Sequence, residues 1–222
     1  MTHTLTLQEI EQVTPDTYRL MFNRPEDFSF EAGQATEMAI LKDGLRDEGR
    51  KFTMTSRPAD PHLEFVIKSY PDHEGVTAEI PNLQMTDQVS ATDPFGAITD
   101  HGPGVFLAGG AGITPFISIL RKQQQEGAGE ARLIFANKSP EDIILRDMWQ
   151  SMASVDETFV VDESDAPDIR TGHIDKPMLE ELVDEKDQPF YICGPHPFVD
   201  AVRDALGDIG VADDRIVTEK GW

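Results

Sequence analysis

Residues 106–115 read FLAGGAGITP: a short apolar run, three glycines, then Thr114 and Pro115. A strand ending in such a turn lets backbone N–H groups approach a phosphate, and a helix starting there adds a partial positive charge. Proline suits the first helical turn, where its missing N–H costs nothing. Thr114 is placed to act as N-cap, its hydroxyl accepting from an orphan backbone N–H. Gly109, Gly110, Gly112, Ile113, Thr114 and Pro115 thus have two readings. One is a turn that approaches a pyrophosphate; the other is a tight turn that packs a helix on a sheet. The spacing is not the Gly-x-Gly-x-x-Gly of the dinucleotide fingerprint, and on these residues alone the two readings weigh equally.

Two other stretches carry chemistry. In RKFTMTSRP, residues 50–58, Arg50 precedes the hydroxyls of Thr53 and Thr55. A guanidinium–phosphate bond is charge-assisted and worth about 1.5–3 kcal/mol; the plainer alternative is a surface arginine paired with Asp47 or Glu48. In YICGPHPF, residues 191–198, the one cysteine, Cys193, ends an apolar strand. A buried cysteine often serves as a small hydrophobe. One cysteine excludes an internal disulfide and a Cys₄ metal or iron–sulfur site. His62, His73, His101, His173 and His196 lack metal-ligand spacing, and most of them read as solvated loop residues.

These residues need elements to hold them. Up to about Asp100, THTLTLQEI, TYRLMFNRP, QATEMAI, KFTMTS, HLEFVIKSY and QVSATDPFG form short alternating runs between turn signals. That rhythm predicts an antiparallel barrel or sandwich, with a short helix starting near Glu74. After the HGPG of residues 101–104, strand-like VFLA, ARLIFAN, ETFVVD and FYIC alternate with helical patterns at Pro115–Gln125, EDIILRDMWQSM and HPFVDAVRDALGDIG. Such alternation predicts a parallel sheet with helices on both faces. Residues 1–101 and 102–222 are the expected domains.

The combination of GGAGITP, YICGPHPF some eighty residues on, and RKFTMTSRP resembles the ferredoxin–NADP reductase family. The three motifs come in the family's order and span nearly the whole chain. The resemblance implies a flavin-binding antiparallel β-barrel followed by an α/β doubly wound parallel sheet that binds the nicotinamide nucleotide, with the active site in the cleft between. It implies FAD together with NADPH or NADH. Hydride would pass from the nicotinamide to the flavin, and electrons would then leave one at a time.

Residue by residue, the resemblance puts Arg50 at the flavin pyrophosphate, Phe52 against the flavin ring and Thr53 near the atom that receives hydride. Phe52 stands where many members have tyrosine, which keeps the stacking surface and loses a hydroxyl. Alternation alone would put Phe52 and Thr53 on opposite faces, so a bulge or a strand end must bring them together. Ile67, Lys68 and Ser69, then Gly75, Val76 and Thr77, form the second flavin segment, one residue tighter than the family's Gly-x-x-Ser/Thr turn. Cys193, with Gly194 and Pro195, would pack near the nicotinamide as a positioning group. Asn137 and Lys138 fall where the adenosine ribose would lie, with Ser139 and Arg146 but also Glu141 and Asp142 close in sequence, which leaves NADH and NADPH both open. Glu219 and Trp222, in the terminal TEKGW, echo a family glutamate and an aromatic that covers the flavin or its adenine.

The chain has 222 residues, 39% of them hydrophobic, with a formal net charge of −22 from 41 acidic and 19 basic residues spread along its length. So many dispersed acids argue against nucleic acid and anionic membrane as partners, and a high-salt habitat is one explanation because salt screens exposed repulsion. No membrane span and no secretory leader is evident in the sequence, and a cytoplasmic location is expected. Without a cluster of its own, the chain is expected to hand electrons to a separate carrier, flavodoxin or ferredoxin by the resemblance, docked on a basic patch drawn from Arg24, Lys42, Arg46, Lys51 and Arg57. The rival expectations are a reductase of freely diffusing flavin and an FAD-binding redox sensor without turnover.

Overall fold

The structure, a computed structural model, describes residues 1–72, 75–96 and 98–219. Two compact units emerge. The first comprises Met1–Thr99 with Thr114–Lys122, the second Asp100–Ile113 with Gln123–Trp222.

The first unit is built on six antiparallel strands: β1 (Thr2–Thr14), β2 (Thr17–Asn23), β3 (Ala35–Ile40), β4 (Arg50–Thr53), β5 (His62–Lys68) and β6 (Gln88–Thr92). Their order is β4-β3-β6-β1-β2-β5, and a bridge from Met54 to Phe65 nearly closes the sheet into a barrel. The alternation legible in the sequence fills the interior: Leu5, Leu7, Leu20, Phe22, Met38, Ile40, Leu63, Phe65, Ile67 and Val89 form one core. Between β5 and β6 lies a one-turn helix, α1 (Val76–Glu79).

β5 departs from the half-exposed pattern of a barrel strand. Its residues from Leu63 to Ile67 are all buried, Glu64 included. Helix α2 (Thr114–Glu126) contributes its first nine residues to this unit, and its Arg121 Nη1 lies 2.6 Å from Glu64 Oε1. The buried carboxylate is therefore partnered, as burial of a charge requires.

The second unit is a six-stranded sheet in the order β10-β9-β8-β7-β11-β12. Its strands are β7 (Val105–Gly109), β8 (Ala131–Asn137), β9 (Val155–Val161), β10 (Ile169–Thr171), β11 (Phe190–Cys193) and β12 (Ile216–Thr218), and every described pairing is parallel. Helices α3 (Arg146–Ser151), α4 (Lys176–Leu182) and α5 (His196–Asp208) complete it. Leu107, Ile134, Val160 and Ile192 share a cluster with Leu179 of α4 and with Val202 and Leu206 of α5. Side chains of opposite strand parity, Phe106 and Tyr191, stack at 4.2 Å and are equally buried. Both faces of the sheet are thus covered, as a parallel sheet demands.

Three local expectations are corrected. Thr114 is the first helical residue rather than the N-cap, because a 3₁₀ turn at Gly110–Ile113 leads straight into the helix and leaves Ile113 already in helical geometry. EDIILRDMWQSM is helical only over Arg146–Ser151, since Leu145 takes a left-handed φ of 56° and a capping box between Ser139 and Asp142 closes a separate short turn. The short helix expected near Glu74 is present and begins at Val76, with Gly75 ahead of it; His73 and Glu74 lie outside the described residues. His62 opens β5 instead of sitting in a loop.

Tyr191 ties the HGPG stretch to the sheet. Its hydroxyl accepts from His101 N and donates to Gly102 O, both at 2.8 Å. Burial, with Asp100 nearby, pushes the phenol from its ordinary 10.0 up to about 12. The fold therefore favours the neutral phenol. Its contribution is intact below pH 10 and is lost as pH rises from 10 to about 12, where the unfolded chain ionises first. Tyr191→Phe is expected to lower stability at pH 7 by about 1–3 kcal/mol and to flatten the decline above pH 10. Denaturant titrations at pH 7 and across the alkaline range check both.

Candidate nucleotide-binding sites

In the second unit the C-terminal ends of β7, β8 and β11 bring together Gly109–Ile113, Asn137–Lys138 and Cys193–Pro195. Ligands in open parallel sheets bind at this edge. The two readings of the glycine turn divide between its glycines. A Cβ on Gly112 would stand 2.3 Å from Cys193 O and 2.5 Å from Gly194 N, so this glycine exists for backbone-to-backbone packing. Gly110, at φ 52°, faces nothing within 4 Å of where its Cβ would lie, and that open position is the one that suits approach by a phosphate. Gly194 packs on Gly109 and on the Phe198 ring.

Cys193 is buried, and its thiol donates to Glu219 Oε1 at 3.5 Å. Burial first, and the Glu219 carboxylate second, push the thiol well above its ordinary range. It stays protonated at neutral pH and is no nucleophile. What this pair offers is a fixed hydrogen-bond donor and a carboxylate at the end of β11.

Asn137 ends β8, and neither Nδ2 nor Oδ1 of its buried carboxamide has a hydrogen-bond partner among the described residues. Lys138 is exposed, and its carbonyl accepts from Asp162 N at 3.2 Å. Arg146 is held by Asp168 at 2.5 Å. Ser139 N and Oγ both donate to Asp142.

In the first unit, Arg50 opens β4 and Thr53 closes it. Thr53 is buried and Phe52 packs on the barrel core. Arg50 is half exposed, with Glu48 Oε2 at 3.6 Å, and its Nη2 lies 3.6 Å from the position a Gly75 Cβ would take. Gly75 has φ 96° and ψ −158°, a conformation reserved for glycine. Arg50 and the Gly75-Val76-Thr77 turn are therefore neighbours. Lys68 is bound to Asp16 at 2.6 Å; burial raises the Asp16 carboxyl, but Lys68 and two threonine hydroxyls outweigh it and hold the group below its usual value. Next to it, Ser69 Oγ is buried without a partner among the described residues, while Ile67 belongs to the barrel core. Thr114 and Pro115 form the first helical positions of α2 and group with this unit. Trp222 lies outside the described residues.

Sequence reasoning missed the polar cluster of Thr55, Ser56, Glu64, Ser118 and Arg121, and also His3, which is buried with Nε2 2.8 Å from Asp93. The signal for Glu64 was an acid inside an otherwise apolar strand. Three members of the expected basic docking patch are engaged within the fold: Arg24 by the carbonyls of Phe28, Pro58 and Asp60, Lys42 by Asp87, and Arg57 by Asp60. Among the described residues no helix is long and apolar enough to cross a membrane, and no cluster of His, Cys, Asp and Glu could hold a metal.

Comparison with known proteins agrees with this geometry. Residues 106–204 match the family described as Oxidoreductase NAD-binding domain. The chain is 28% identical, over 95% of its length and 61% of the relative's, to the reductase component of propane 2-monooxygenase from Rhodococcus jostii (strain RHA1). It is 26% identical to NADH-cytochrome b5 reductase 2 of Mycosarcoma maydis, covering 92% of this chain and 65% of that one. The chain thus spans about three fifths to two thirds of the length of these relatives. Among solved structures, the CS-b5R domains of human Ncb5or in the NAD+ form superpose with a TM-score of 0.84 at 26% identity, covering 97% of this chain and 68% of that one.

Proposed function

We propose that this chain, whose residues 106–204 match the family described as Oxidoreductase NAD-binding domain, is a ferredoxin reductase-like FAD/NAD-binding protein, an NADH-dependent flavoprotein reductase serving a separate redox protein. FAD is assigned to the antiparallel unit and NADH to the parallel one. The observation that carries this reading is the location of unmet buried polar groups. Buried polar atoms are nearly always hydrogen-bonded, and leaving one unmet costs about 1–3 kcal/mol. Among the described residues, Ser69 Oγ and both polar atoms of Asn137 lack partners, and these two side chains lie in the two segments assigned to the nucleotides. Gln123 Oε1, the other such atom, belongs to neither segment.

The residues fit the cofactors. Arg50 reaches the side of Gly75 where a Cβ would stand, beside Glu48, which suits a diphosphate held between the arginine and this turn, and Ser69 Oγ adds an unfilled hydrogen-bond site. When bound, the flavin accepts a hydride and releases its electrons singly. The chain's own residues align and shield: Phe52 presents a ring, Thr53 a buried hydroxyl at the end of β4, and Gly110 leaves room for phosphate. Cys193 holds its proton toward Glu219 at the end of β11, which fits a positioning role.

The coenzyme is assigned as NADH because the turn after β8 gathers acids around its cations. Arg146 is engaged by Asp168, and Lys138 shares its turn with Glu141, Asp142 and the adjoining Asp162. A 2′-phosphate there would meet more negative than positive charge. The electron acceptor is assigned as a small one-electron carrier of the flavodoxin or ferredoxin kind. With Arg24, Lys42 and Arg57 engaged internally, a broad basic docking face is not part of this assignment.

The test is anaerobic stopped-flow absorbance at the flavin band of the purified FAD-loaded protein. Fast bleaching by NADH, at least about tenfold more efficient than by NADPH, is expected; tenfold corresponds to about 1.4 kcal/mol of discrimination. A protein that retains no flavin on gel filtration, or a yellow one that neither coenzyme bleaches, refutes the reading. Adding flavodoxin or ferredoxin to the reduced protein then tests the acceptor.

A further inference from the structure

The buried polar cluster of the first unit ties Thr55 and Ser56, in the RKFTMTSRP stretch, to β5 and α2, and has a shape that packing alone does not require. Ser118, fully buried on α2, donates its Oγ to Ser56 O at 2.7 Å. One turn on, Arg121 Nη1 donates to Thr55 O at 3.1 Å and to Glu64 Oε1 at 2.6 Å. Glu64 Oε1 also accepts from Thr55 Oγ1 at 2.8 Å. Glu64's backbone pairs with the same stretch from the other side, its N–H donating to Ser56 Oγ and its carbonyl accepting from Thr55 N.

All of these bonds but the Arg121–Glu64 pair end on residues 55 and 56. This stretch begins two residues beyond Thr53, where β4 has ended and left the β3 ladder. Between them, Met54 N donates to Gln34 O and Met54 bridges to Phe65. Two of the bonds to residues 55 and 56 come from α2, whose first residues are Thr114 and Pro115 of the nucleotide turn, and the rest from Glu64 of β5. One set of side chains therefore binds the segment that presents Thr53 to the helix that starts at GGAGITP. A serine and an arginine placed on one face, at i and i+3, take consecutive carbonyls; an apolar pair would bury the same area without fixing register.

We propose that Ser118 and Arg121 are positioning residues for hydride transfer: by holding the Ser56 and Thr55 carbonyls they fix the Thr53 segment against α2. This rests on the reading of the chain as an NADH-dependent flavoprotein. Hydride transfer is steep in distance and alignment, and a displacement of about 1 Å can cost on the order of 100-fold in rate. Loss of these bonds is read first in the chemical step, with coenzyme affinity little changed, because neither side chain belongs to a segment assigned to phosphate or ribose.

The experiment compares the FAD-loaded parent with Ser118→Ala and Arg121→Met. It measures retained flavin, Tm, and the limiting anaerobic bleaching rate and apparent Kd from an NADH titration. The expected result is a limiting rate reduced about 5-fold or more in Ser118→Ala and further in Arg121→Met, with Kd within about twofold of the parent and flavin retained. A limiting rate equal to the parent's in a folded, yellow Ser118→Ala protein overturns the proposal, whatever its Tm, and assigns the cluster to stability alone. Arg121→Met leaves the buried Glu64 carboxylate without its cation; if that variant does not fold, Ser118→Ala decides by itself. A parent that NADH does not bleach overturns the underlying reading and this proposal with it.

Discussion

Gly112→Ala is expected to slow flavin bleaching by NADH by about two orders of magnitude and to lower the melting temperature as well. The added carbon would stand 2.3 Å from Cys193 O, 2.4 Å from its carbonyl carbon and 2.5 Å from Gly194 N. All three are backbone atoms, so no side chain can rotate out of the way. Either the 3₁₀ turn or the end of β11 must move, and each carries residues assigned to the nicotinamide nucleotide. Overpacking of this kind costs about 1–3 kcal/mol, and a protein of this size loses about 2–4 °C per kcal/mol. Gly110→Ala is the comparison: its Cβ meets nothing within 4 Å, so it carries no clash, only the cost of an alanine at φ 52°, about 1–2 kcal/mol. It should fall less in melting temperature than Gly112→Ala and lose NADH affinity, separating the packing glycine from the phosphate-facing one. Thermal melts and NADH titrations of both variants check this; equal behaviour of the two would refute the division.

Arg50→Ala should release FAD. The guanidinium is half exposed and its contact to Glu48 is long, at 3.6 Å, so that pair contributes little to folding, about 0–1 kcal/mol. A charge-assisted bond to a diphosphate is worth about 1.5–3 kcal/mol, which predicts an FAD Kd raised by roughly 10- to 150-fold. The melting temperature of the flavin-free protein should hardly change. Arg50→Lys keeps the charge but not the forked donor geometry and should fall between. Fluorescence titration of flavin-free protein with FAD gives the affinities. Unchanged FAD affinity together with a lowered Tm would mean that Arg50 is the plain surface pair that the nearby acids suggested.

How much of this was legible in the sequence follows from what each signal depends on. Strand alternation survives into structure because one face of each barrel strand meets a core: Leu5, Leu7, Leu20 and Phe22 line it. The strand–helix rhythm of the second half predicted its parallel sheet for the same reason. Short elements escaped. β10 and β12 have three residues each, too few to show a period. α4 carried usable signals, since Asp175 caps it and Pro177 stands in its first turn, but its seven residues gave little periodicity. The reach of EDIILRDMWQSM was overestimated because the left-handed Leu145 has no mark in a run of apolar and charged residues. At the site, glycines and the arginine motif could be read, whereas the division between Gly112 and Gly110 depends on where Cys193's carbonyl lies. Glu64 and Arg121 are 57 positions apart, and no local pattern announces such a pair.

The path of the chain between its compact units bears on how such a protein can be inherited. It leaves the first unit after Thr99, returns at Thr114 and leaves again after Lys122. A gene cut in the HGPG stretch would give an upstream product lacking Ser118 and Arg121, with the Glu64 carboxylate stranded and the Ser56 carbonyl without its donor. The halves are interleaved rather than strung together as cassettes. Recombination that exchanged the nucleotide half for a foreign one would import a foreign α2 into the barrel unit and would succeed only where both Arg121 and Glu64 travelled with it or were matched on arrival. A crossover anywhere between Glu64 and Arg121 is therefore expected to fail unless both parents carry this acid–base pair, so the stretch between them is inherited as one block.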